Sequence, residues 1–397
     1  MQYKDCNIQN EDIVRFETFE VIDNKIYAQL IGKNILVQLM PNNIEVKVLN
    51  TSDEYRSKHC TYIGDKLYLV DNSGEAFLEY DINLNTFEKY YIDAYVKDDN
   101  NIAAVESSDK YVFVVSQYEG KIYIYDSDKK KLEQDKSLQK KITKLYGKMT
   151  QCNVRCWKND KFLYFIINHK NDYYVCRYNM LRMCLEDLSQ KIISYSMRTA
   201  YCFEHMLYIL EDDYLVKVWD LNTNKTQQIE MDCFRQLIDK KELKYTYAFS
   251  ALVVTQKNLW LFPAGANEDI YVYDLLEHSG RKYEEYPEDF CYLNMENWSK
   301  YADMKQREGY IYVAARLSNY YLLINVQTGE GSWEAIGDCD FTEYYADAIT
   351  NRVKKNQVIG ETNINMFKAF LEHDQREIHM NEEACIVGKQ IWEKLNE

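Results

Sequence analysis

Proline and glycine are scarce in this sequence, which has 3 Pro and 13 Gly among its 397 residues. Such low numbers exclude a collagen-like chain and argue against a long disordered region, because both depend on these residues. No stretch approaches the roughly 18 apolar residues that a membrane-spanning helix needs. The first residues, MQYKDCNIQNEDIVRF, have neither the apolar core nor the cleavage site of a signal peptide. We therefore expect a globular cytoplasmic protein.

Basic residues are fewer than acidic ones, with 48 Lys and Arg against 63 Asp and Glu, and the formal net charge is −15. An acidic surface repels phosphate backbones and anionic lipids, so we expect neither nucleic acid nor a membrane as a partner. Richness in Lys, Asn, Ile and Tyr is typical of an AT-rich genome and favours a bacterial source. Tyr, at 36 residues, is the most unusual count, and this side chain suits half-buried strands because it has an apolar ring and a polar tip.

The eleven cysteines show no paired spacing and extend from Cys6 to Cys385. An odd number without an export signal indicates reduced thiols in a reducing compartment. Cys152 and Cys156 form CNVRC, but an iron–sulfur motif of the radical type would need a third Cys at position 159, which is Asn. We interpret the two as one face of a strand.

A repeat extends through most of the chain. Each copy contains an apolar or aromatic run that ends on a polar residue, followed by a polar turn and a final strand. A degenerate first copy ends at Leu39-Met40, and the spacing between successive copies is 41 to 54 residues. The other copies end at Tyr80-Asp81, Tyr125-Asp126, Tyr178-Asn179, Trp219-Asp220, Tyr273-Asp274 and Ile324-Asn325.

A period of this length with about four short strands per copy predicts an all-β fold, a seven-bladed β-propeller over residues 13–338. Six or eight blades are the open alternatives for the count, and two sandwich domains made of unrelated hairpins are the competing architecture. We expect the aromatic residue of each pair to pack between blades. The Asp or Asn that follows should cap the turn by accepting bonds from nearby backbone N–H groups.

The strand ends resemble those of kelch and WD-repeat propellers. Only Trp219-Asp220 matches the closing dipeptide of WD repeats, and neither the double glycine of kelch repeats nor the Gly-His of WD repeats is present. The resemblance implies the propeller fold and carries over no particular function.

Longer spacings between copies are explained by insertions. Residues 129–148 contain eight Lys with Glu133 and Asp135, a net charge of +6, and Leu138, Ile142 and Leu145 fall on one helical face. We expect a helix over 132–146 outside the blade, solvated on most of its surface, with its apolar face resting on the third blade and with little loss of stability on its deletion. The other interpretation is a cationic patch that attracts an acidic partner. The sequence of residues 233–244 predicts a short helix. That of residues 276–297 predicts a long polar loop.

After residue 338 the apolar period changes from two to about 3.6, which predicts a short C-terminal helical tail over 339–397. We expect it to dock on the propeller or on a partner, with Ile391, Trp392 and Leu395 as anchors. No isolated helix of this length is stable alone, so packing must supply its stability.

No catalytic motif is present: the sequence has no phosphate-binding glycine loop, no HExxH and no GxSxG. No two of the six His stand three or four residues apart, so we predict no metal site, no cofactor and no catalytic residue. Glu211, Asp212 and Asp213 read as a hairpin turn.

Ligands of propellers usually bind at one mouth of the central channel, where the innermost strands end. Aromatic rings with Arg and Asn donors there would suit a peptide, a sugar or an anionic group. Our candidates for this central mouth are Arg15, His59, Arg155, Trp157, Arg198, Tyr201, Tyr245, Tyr247, Asn297 and Trp298.

The sequence favours a non-catalytic recognition or scaffold module that binds a protein or peptide partner. The alternative is a carbohydrate binder, or an enzyme that modifies glycans or peptides, with its site at the central mouth. A purely structural subunit is the third hypothesis.

The cysteine pattern makes one direct prediction. Thiol titration of the denatured, unreduced protein should find close to all 11 cysteines free. A result of three or five free thiols would indicate an oxidising compartment and contradict the prediction.

Overall fold

A computed structural model describes most of the repeat region. The described residues are 16–30, 35–40, 43–51, 57–71, 76–91, 102–117, 120–147, 153–159, 161–169, 172–193, 198–238, 247–265, 269–288, 290, 301–315, 318 and 320–336. The predicted tail, 339–397, lies outside them, so the tail and the proposed domain boundaries stay predictions.

Twenty-eight strands and two helices make up the described structure. The first three blades contain β1 Phe16–Ile22, β2 Lys25–Leu30, β3 Ile35–Met40, β4 Asn43–Thr51, β5 Ser57–Ile63, β6 Lys66–Asp71, β7 Ala76–Asp81, β8 Thr86–Tyr91, β9 Ile102–Ser108, β10 Tyr111–Ser116, β11 Ile122–Asp126 and β12 Lys131–Asp135. Helix α1, Ser137–Tyr146, follows β12, and helix α2, Phe234–Leu237, follows the fifth blade. The other blades contain β13 Asn153–Asn159, β14 Phe162–His169, β15 Asp172–Asn179, β16 Cys184–Ile193, β17 Thr199–Phe203, β18 Met206–Asp212, β19 Leu215–Asp220, β20 Thr226–Glu230, β21 Phe249–Val254, β22 Asn258–Pro263, β23 Tyr271–Asp274, β24 Ser279–Lys282, β25 Tyr301–Arg307, β26 Tyr310–Ala315, β27 Tyr320–Asn325 and β28 Gly331–Ala335.

These strands form seven antiparallel four-stranded sheets, each made of four strands consecutive in sequence. The first strands of neighbouring blades contact each other from β1 to β21, and β1 also contacts β25 of the last blade. The first strands therefore surround a common axis. The chain is a seven-bladed β-propeller, as the sequence predicted.

The repeated strand-end pair lies at the end of the third strand of every blade. The carboxylate of Asp81 accepts bonds from the backbone N–H groups of Asn83 and Leu84, at 3.0 and 2.9 Å. The same pair of bonds recurs at five further strand ends: Asp126, Asn179, Asp220, Asp274 and Asn325. The polar residue thus fixes the turn to the fourth strand, as its ability to mimic a backbone turn requires.

The turn also places a residue in the left-handed region, five positions after the first member of the pair. Asn85 and Asn224 have φ values of 54° and 61°, and Gly329 has 73°. Asn tolerates this conformation and Gly adopts it without strain. The side chains of Asn85 and Asn224 reach back to Tyr80 and Trp219, so turn and strand end hold each other.

The aromatic members are buried and reach back toward the preceding blade. Tyr80, Tyr125 and Tyr178 are 0% exposed. The Tyr178 hydroxyl donates to Asp135 of the third blade at 2.7 Å, and that of Tyr125 donates to Glu79 of the second at 2.8 Å. These residues pack between blades, as the sequence predicted.

The lysine-rich insertion differs from the prediction. Lys131–Asp135 is the outermost strand of the third blade, and the helix covers Ser137–Tyr146 instead of 132–146. Leu138 and Ile142 are buried in the core shared by the third and fourth blades, whereas Leu145 is exposed. Gly120 permits this contact, because a Cβ there would lie 2.4 Å from Ile142 Cδ1. Deletion would therefore open a core, contrary to the expectation of a dispensable surface feature.

The structure also differs from the predictions for the segments 276–297 and 233–244. Ser279–Lys282 is a strand within the segment expected to be a loop, and the helix expected over 233–244 is described only at Phe234–Leu237. Each of the six described cysteines is a free thiol. No helix in the part of the chain that the structure describes is long and apolar enough to cross a bilayer.

A buried carboxylate joins the second and third blades. Glu79 is 3% exposed and accepts bonds from Lys66, Lys130 and the Tyr125 hydroxyl. Burial by itself would raise the pKa of Glu79, but the hydrogen bonds from Lys130, Lys66 and Tyr125 outweigh it and lower that pKa.

We expect Glu79→Gln to lower the free energy of unfolding by about 2 kcal/mol at pH 7, because it weakens three bonds to a charged acceptor. Because the pKa of Glu79 is lower in the folded state, its ionised carboxylate stabilises the fold at pH values above the ordinary glutamate pKa. This stabilisation is lost as the pH falls through the folded-state pKa. The difference from the wild type in urea unfolding should therefore shrink below about pH 4.

Glu88→Gln is the matched control, because the side chain of Glu88 is 61% exposed and also pairs with Lys130. It should cost less than about 0.5 kcal/mol. Equal costs for the two variants would show that the buried network does not stabilise the blade contact.

Candidate functional site

Charged side chains from the first strands meet at the axis of the propeller. The blades that carry β13 and β25 are separated in the ring, so charges on these strands can approach each other only across the axis. Lys158 of β13 lies close enough to Lys305 and Arg307 of β25 to interact with them electrostatically. We call the following group the axial charge cluster: Glu20, Glu106, Lys158, Asp303, Lys305 and Arg307.

Arg307 and Glu20 form the tightest ion pair of the cluster. The guanidinium Nη2 lies 2.8 Å from Glu20 Oε2, and Glu20 is 0% exposed. A carboxylate so buried needs a paired cation. The Arg307 guanidinium also lies over the Tyr62 ring, at 5.7 Å from its centroid, and its buried Nε has no acceptor among the described residues.

Lys305 connects the last blade to the second. Its Nζ donates to the Cys60 carbonyl at 3.2 Å and lies 3.8 Å from Asp303. Asp303 in turn accepts a bond from the Thr18 hydroxyl at 2.9 Å. Burial raises the pKa of the Cys60 thiol to about 12, so this cysteine stays protonated.

Lys158 has a different environment from the other two cations. Its Nζ donates to the Ser107 carbonyl of β9, and no carboxylate lies within ion-pair distance among the described residues. Burial lowers the pKa of Lys158, and the positive charges of Arg307 and Lys305 lower it further, while Glu106 and Glu20 act in the opposite direction. Lys158 is thus the cation of the cluster that releases its proton most easily.

Three of the predicted mouth residues come together at one point. Arg155 donates to the Arg198 carbonyl, and Arg198 pairs with Asp213 and lies over the Tyr247 ring at 5.0 Å. Asp213, 1% exposed, also accepts the Ala248 N–H at 2.8 Å. Asp213 of the predicted hairpin turn is therefore a buried carboxylate that holds Arg198, and Arg198 in turn accepts a bond from Arg155.

The other candidates are dispersed. The Tyr201 hydroxyl donates to Gln306 across the axis at 3.1 Å, Trp157 packs in the core between the fourth and fifth blades, and His59 is half-buried on β5. Four candidates lie outside the described residues: Arg15, Tyr245, Asn297 and Trp298. The sequence reasoning missed the axial charge cluster, whose only local signal is a charged residue inside a β-rich run.

A second site lies at the periphery. A groove of about 660 Å³ opens between the outer part of the third blade and the turn at Met183 of the fourth. Half-buried apolar side chains of Tyr111, Ile124 and Met183 line it. Its polar lining consists of Asp126, Lys129, Lys131, Glu133, Gln134, Asp135, Lys136 and Lys140, and we call it the blade-3 groove.

The lysines of this groove fall into two classes. Lys129 and Lys131 pair with Asp126 and Glu133, at 3.3 and 2.6 Å. Lys136 and Lys140 are exposed and have no ion pair within the described part of the chain. Lys136 is the N-cap of α1 and Lys140 lies in its first turn, where the Lys140 N–H donates to the Lys136 carbonyl at 2.9 Å. The groove thus combines three half-buried apolar side chains with two lysines that have no ion pair.

Among the described residues, no three His, Cys, Asp or Glu side chains are placed to hold a metal ion.

No protein-family model matches the sequence, and no curated protein matches it. The fold is similar to the extracellular domain of BT4673 from B. thetaiotaomicron, described as a one-component system, with a TM-score of 0.52 and 12% identity over 81% of this chain and 40% of that one. A second structure, the extracellular domain of BT4673 described as a hybrid two-component system, gives a TM-score of 0.51 and 11% identity over 80% of this chain and 41% of that one.

The computationally designed Ika8 protein gives a TM-score of 0.48 and 10% identity over 83% of this chain and 89% of that one. This chain spans about 40% of the length of the BT4673 chains. At such low identity the likeness to BT4673 supports the propeller fold alone, and no kelch or WD repeat type is assigned.

The Arg307–Glu20 pair makes a prediction about stability. Arg307→Met should lower the free energy of unfolding by about 3 kcal/mol, because it leaves a fully buried carboxylate without its partner. The double variant Glu20→Gln/Arg307→Met should recover a large part of that loss, since both charges are then absent. Urea unfolding at pH 7 measures both, and a double variant no more stable than Arg307→Met would contradict the pairing.

Proposed function

We propose that this propeller is a non-catalytic recognition module that binds an acidic segment of a partner protein in the blade-3 groove. The observation that carries the proposal is the combination of three half-buried apolar side chains with the ammonium groups of Lys136 and Lys140, which form no ion pair among the described residues. Anchoring by buried apolar side chains and orientation by charge are the two requirements of a specific interface.

Charge distribution supports an acidic ligand. The whole chain has a formal charge of −15, whereas residues 129–148 carry a net +6. A partner with acidic residues would be repelled by most of the surface and attracted at this one edge. Such an arrangement increases the association rate and selects the orientation of the partner.

The arrangement of the predicted mouth gives less support to the alternative, a sugar or peptide bound at the channel. The Arg155 guanidinium donates to the Arg198 carbonyl and that of Arg198 pairs with Asp213, so each arginine has a partner within the protein. Recognition at the groove requires no such release of internal bonds.

We place this recognition in the cytoplasm. The six described cysteines are free thiols, which is the usual state in a reducing compartment. The BT4673 domains are extracellular, but their likeness to this chain is one of fold.

Fluorescence polarisation with a dye-labelled peptide of alternating Glu and Leu tests the proposal, with an otherwise identical Gln and Leu peptide as the comparison. We expect the Glu peptide to bind about tenfold more tightly and to weaken as salt rises. Lys136→Glu/Lys140→Glu should reduce its affinity at least about tenfold.

Lys225→Glu/Lys257→Glu is the matched control, because it changes the net charge equally at exposed lysines of the fifth and sixth blades. This variant should bind the peptide as the wild type does. Equal loss of binding in both double variants would mean that only overall charge matters, and it would contradict a site in the blade-3 groove.

A further inference from the structure

A lysine side chain extends into the gap between the second and third blades. Lys130 lies in the turn that joins the third and fourth strands of the third blade, with a φ value of 52°. Its ammonium group reaches back to the second blade and donates to Glu79 and Glu88, at 2.5 and 2.6 Å. Because these glutamates are cross-strand partners on β7 and β8, the lysine lies against the face of the second blade.

Met183 takes the corresponding position in the fourth blade. Lys130 and Met183 each stand five residues after the aromatic residue of their strand-end pairs, Tyr125 and Tyr178. The φ value of Met183 is 53°, so the two turns have the same conformation at this position. Met183 lines the blade-3 groove, which lies one gap further along the ring. The groove is therefore the counterpart, between the third and fourth blades, of the space that Lys130 enters.

The facing strands of the two gaps are also in the same register. Ile124 and Glu133 are cross-strand partners on β11 and β12, as Glu79 and Glu88 are on β7 and β8. Ile124 and Glu79 each immediately precede the aromatic residue of the strand-end pair. Both Ile124 and Glu133 line the groove, and Glu133 is paired with Lys131 at 2.6 Å. Both walls of the groove thus have counterparts in the neighbouring gap.

The two gaps differ in their chemistry. Ile124 stands in place of the buried carboxylate of Glu79, and Met183 in place of the ammonium group of Lys130. An ammonium group in the groove would lack the buried carboxylate that holds Lys130, and its removal from water would be poorly compensated. An aliphatic group would instead bury apolar surface against Ile124 and Met183, which are half-buried. The groove volume of about 660 Å³ leaves room for such a side chain.

We propose that the blade-3 groove holds one aliphatic side chain of its acidic partner against Ile124 and Met183. The inference rests on the proposed function and specifies the residue type that anchors the partner. The anchor takes the place that the stem of Lys130 has in the neighbouring gap, so a side chain such as leucine or methionine fits. Lys136 and Lys140, which line the same groove, pair with the acidic residues beside the anchor.

Met183→Lys separates anchoring from charge. The variant adds a positive charge to the groove, which by itself would strengthen the binding of an acidic peptide. It also introduces the side chain that enters the neighbouring gap, so the anchor loses its place. We expect fluorescence polarisation to show at least about fivefold weaker binding of the dye-labelled Glu and Leu peptide.

Leu181→Lys is the matched control, because it adds the same charge within the same turn. Leu181 is 62% exposed and is not among the residues that line the groove. This variant should bind the peptide at least as tightly as the wild type. Thermal unfolding followed by circular dichroism shows whether each variant is folded.

Ile124→Glu tests the apolar wall directly. Dye-labelled peptides of Glu and Ser receive a single central residue, which is Leu, Gln or Lys. The wild type should bind the Leu peptide at least about fivefold more tightly than the Gln peptide, which has the same charge and a central side chain of similar size. Ile124→Glu introduces the carboxylate that Glu79 provides in the neighbouring gap, and it should shift the preference from Leu to Lys.

Binding by Met183→Lys at least as tight as that of the wild type, or equal affinities for the Leu and Gln peptides, would overturn the anchor. A preference for Leu that persisted in Ile124→Glu would also contradict it. Acidic recognition would still stand if Lys136→Glu/Lys140→Glu weakened binding in the same assay. If that double variant bound the peptide as the wild type does, the proposed function would fail, and the anchor with it.

Discussion

The propeller depends on one repeated contact, in which the residue near the end of the third strand, aromatic in five of the seven blades, packs beside the turn that follows it. Tyr80, Tyr125 and Tyr178 are fully buried, and the hydroxyls of Tyr125 and Tyr178 reach the blade before them. The next residue ties the turn with two backbone bonds, which sets the angle at which the fourth strand leaves. Because this contact is complete within each blade and its neighbour, the loops between copies are free to vary in length, as in other repeat architectures.

This contact also explains what could be predicted. The aromatic residue and its capping Asp or Asn are adjacent in sequence, so strand, turn and period are all local signals. The axial charge cluster has no such signal, because Glu20, Lys158 and Arg307 are far apart in the chain and meet only once seven blades close around the axis. Residue type alone selected Arg155 and Arg198 as ligand candidates, and it gives no sign of the contacts that each makes within the protein.

The sequence prediction for the lysine-rich insertion missed a strand and a buried contact for a related physical reason. Lys131–Asp135 is an outer strand with solvent near both faces, so only Leu132 of its five residues is apolar and the period of two is too weak to detect. The helix was recognisable from Leu138 and Ile142, but their full burial depends on Gly120, which permits the approach of Ile142. A dense run of lysines therefore indicated a solvated surface at a place where two blades share a core.

The two sites differ in how far their charges act. In the axial charge cluster three acidic and three basic side chains lie close together, so their fields largely cancel beyond the Debye length of about 8 Å in physiological salt. Such a cluster therefore contributes little to the attraction of a distant partner. Lys136 and Lys140 are exposed and form no ion pair among the described residues, so their field is less compensated than that of the axial cations and extends further into solvent. The charges at the axis are thus compensated within the propeller, whereas the exposed lysines at its outer edge keep the field by which the proposed acidic partner would be attracted.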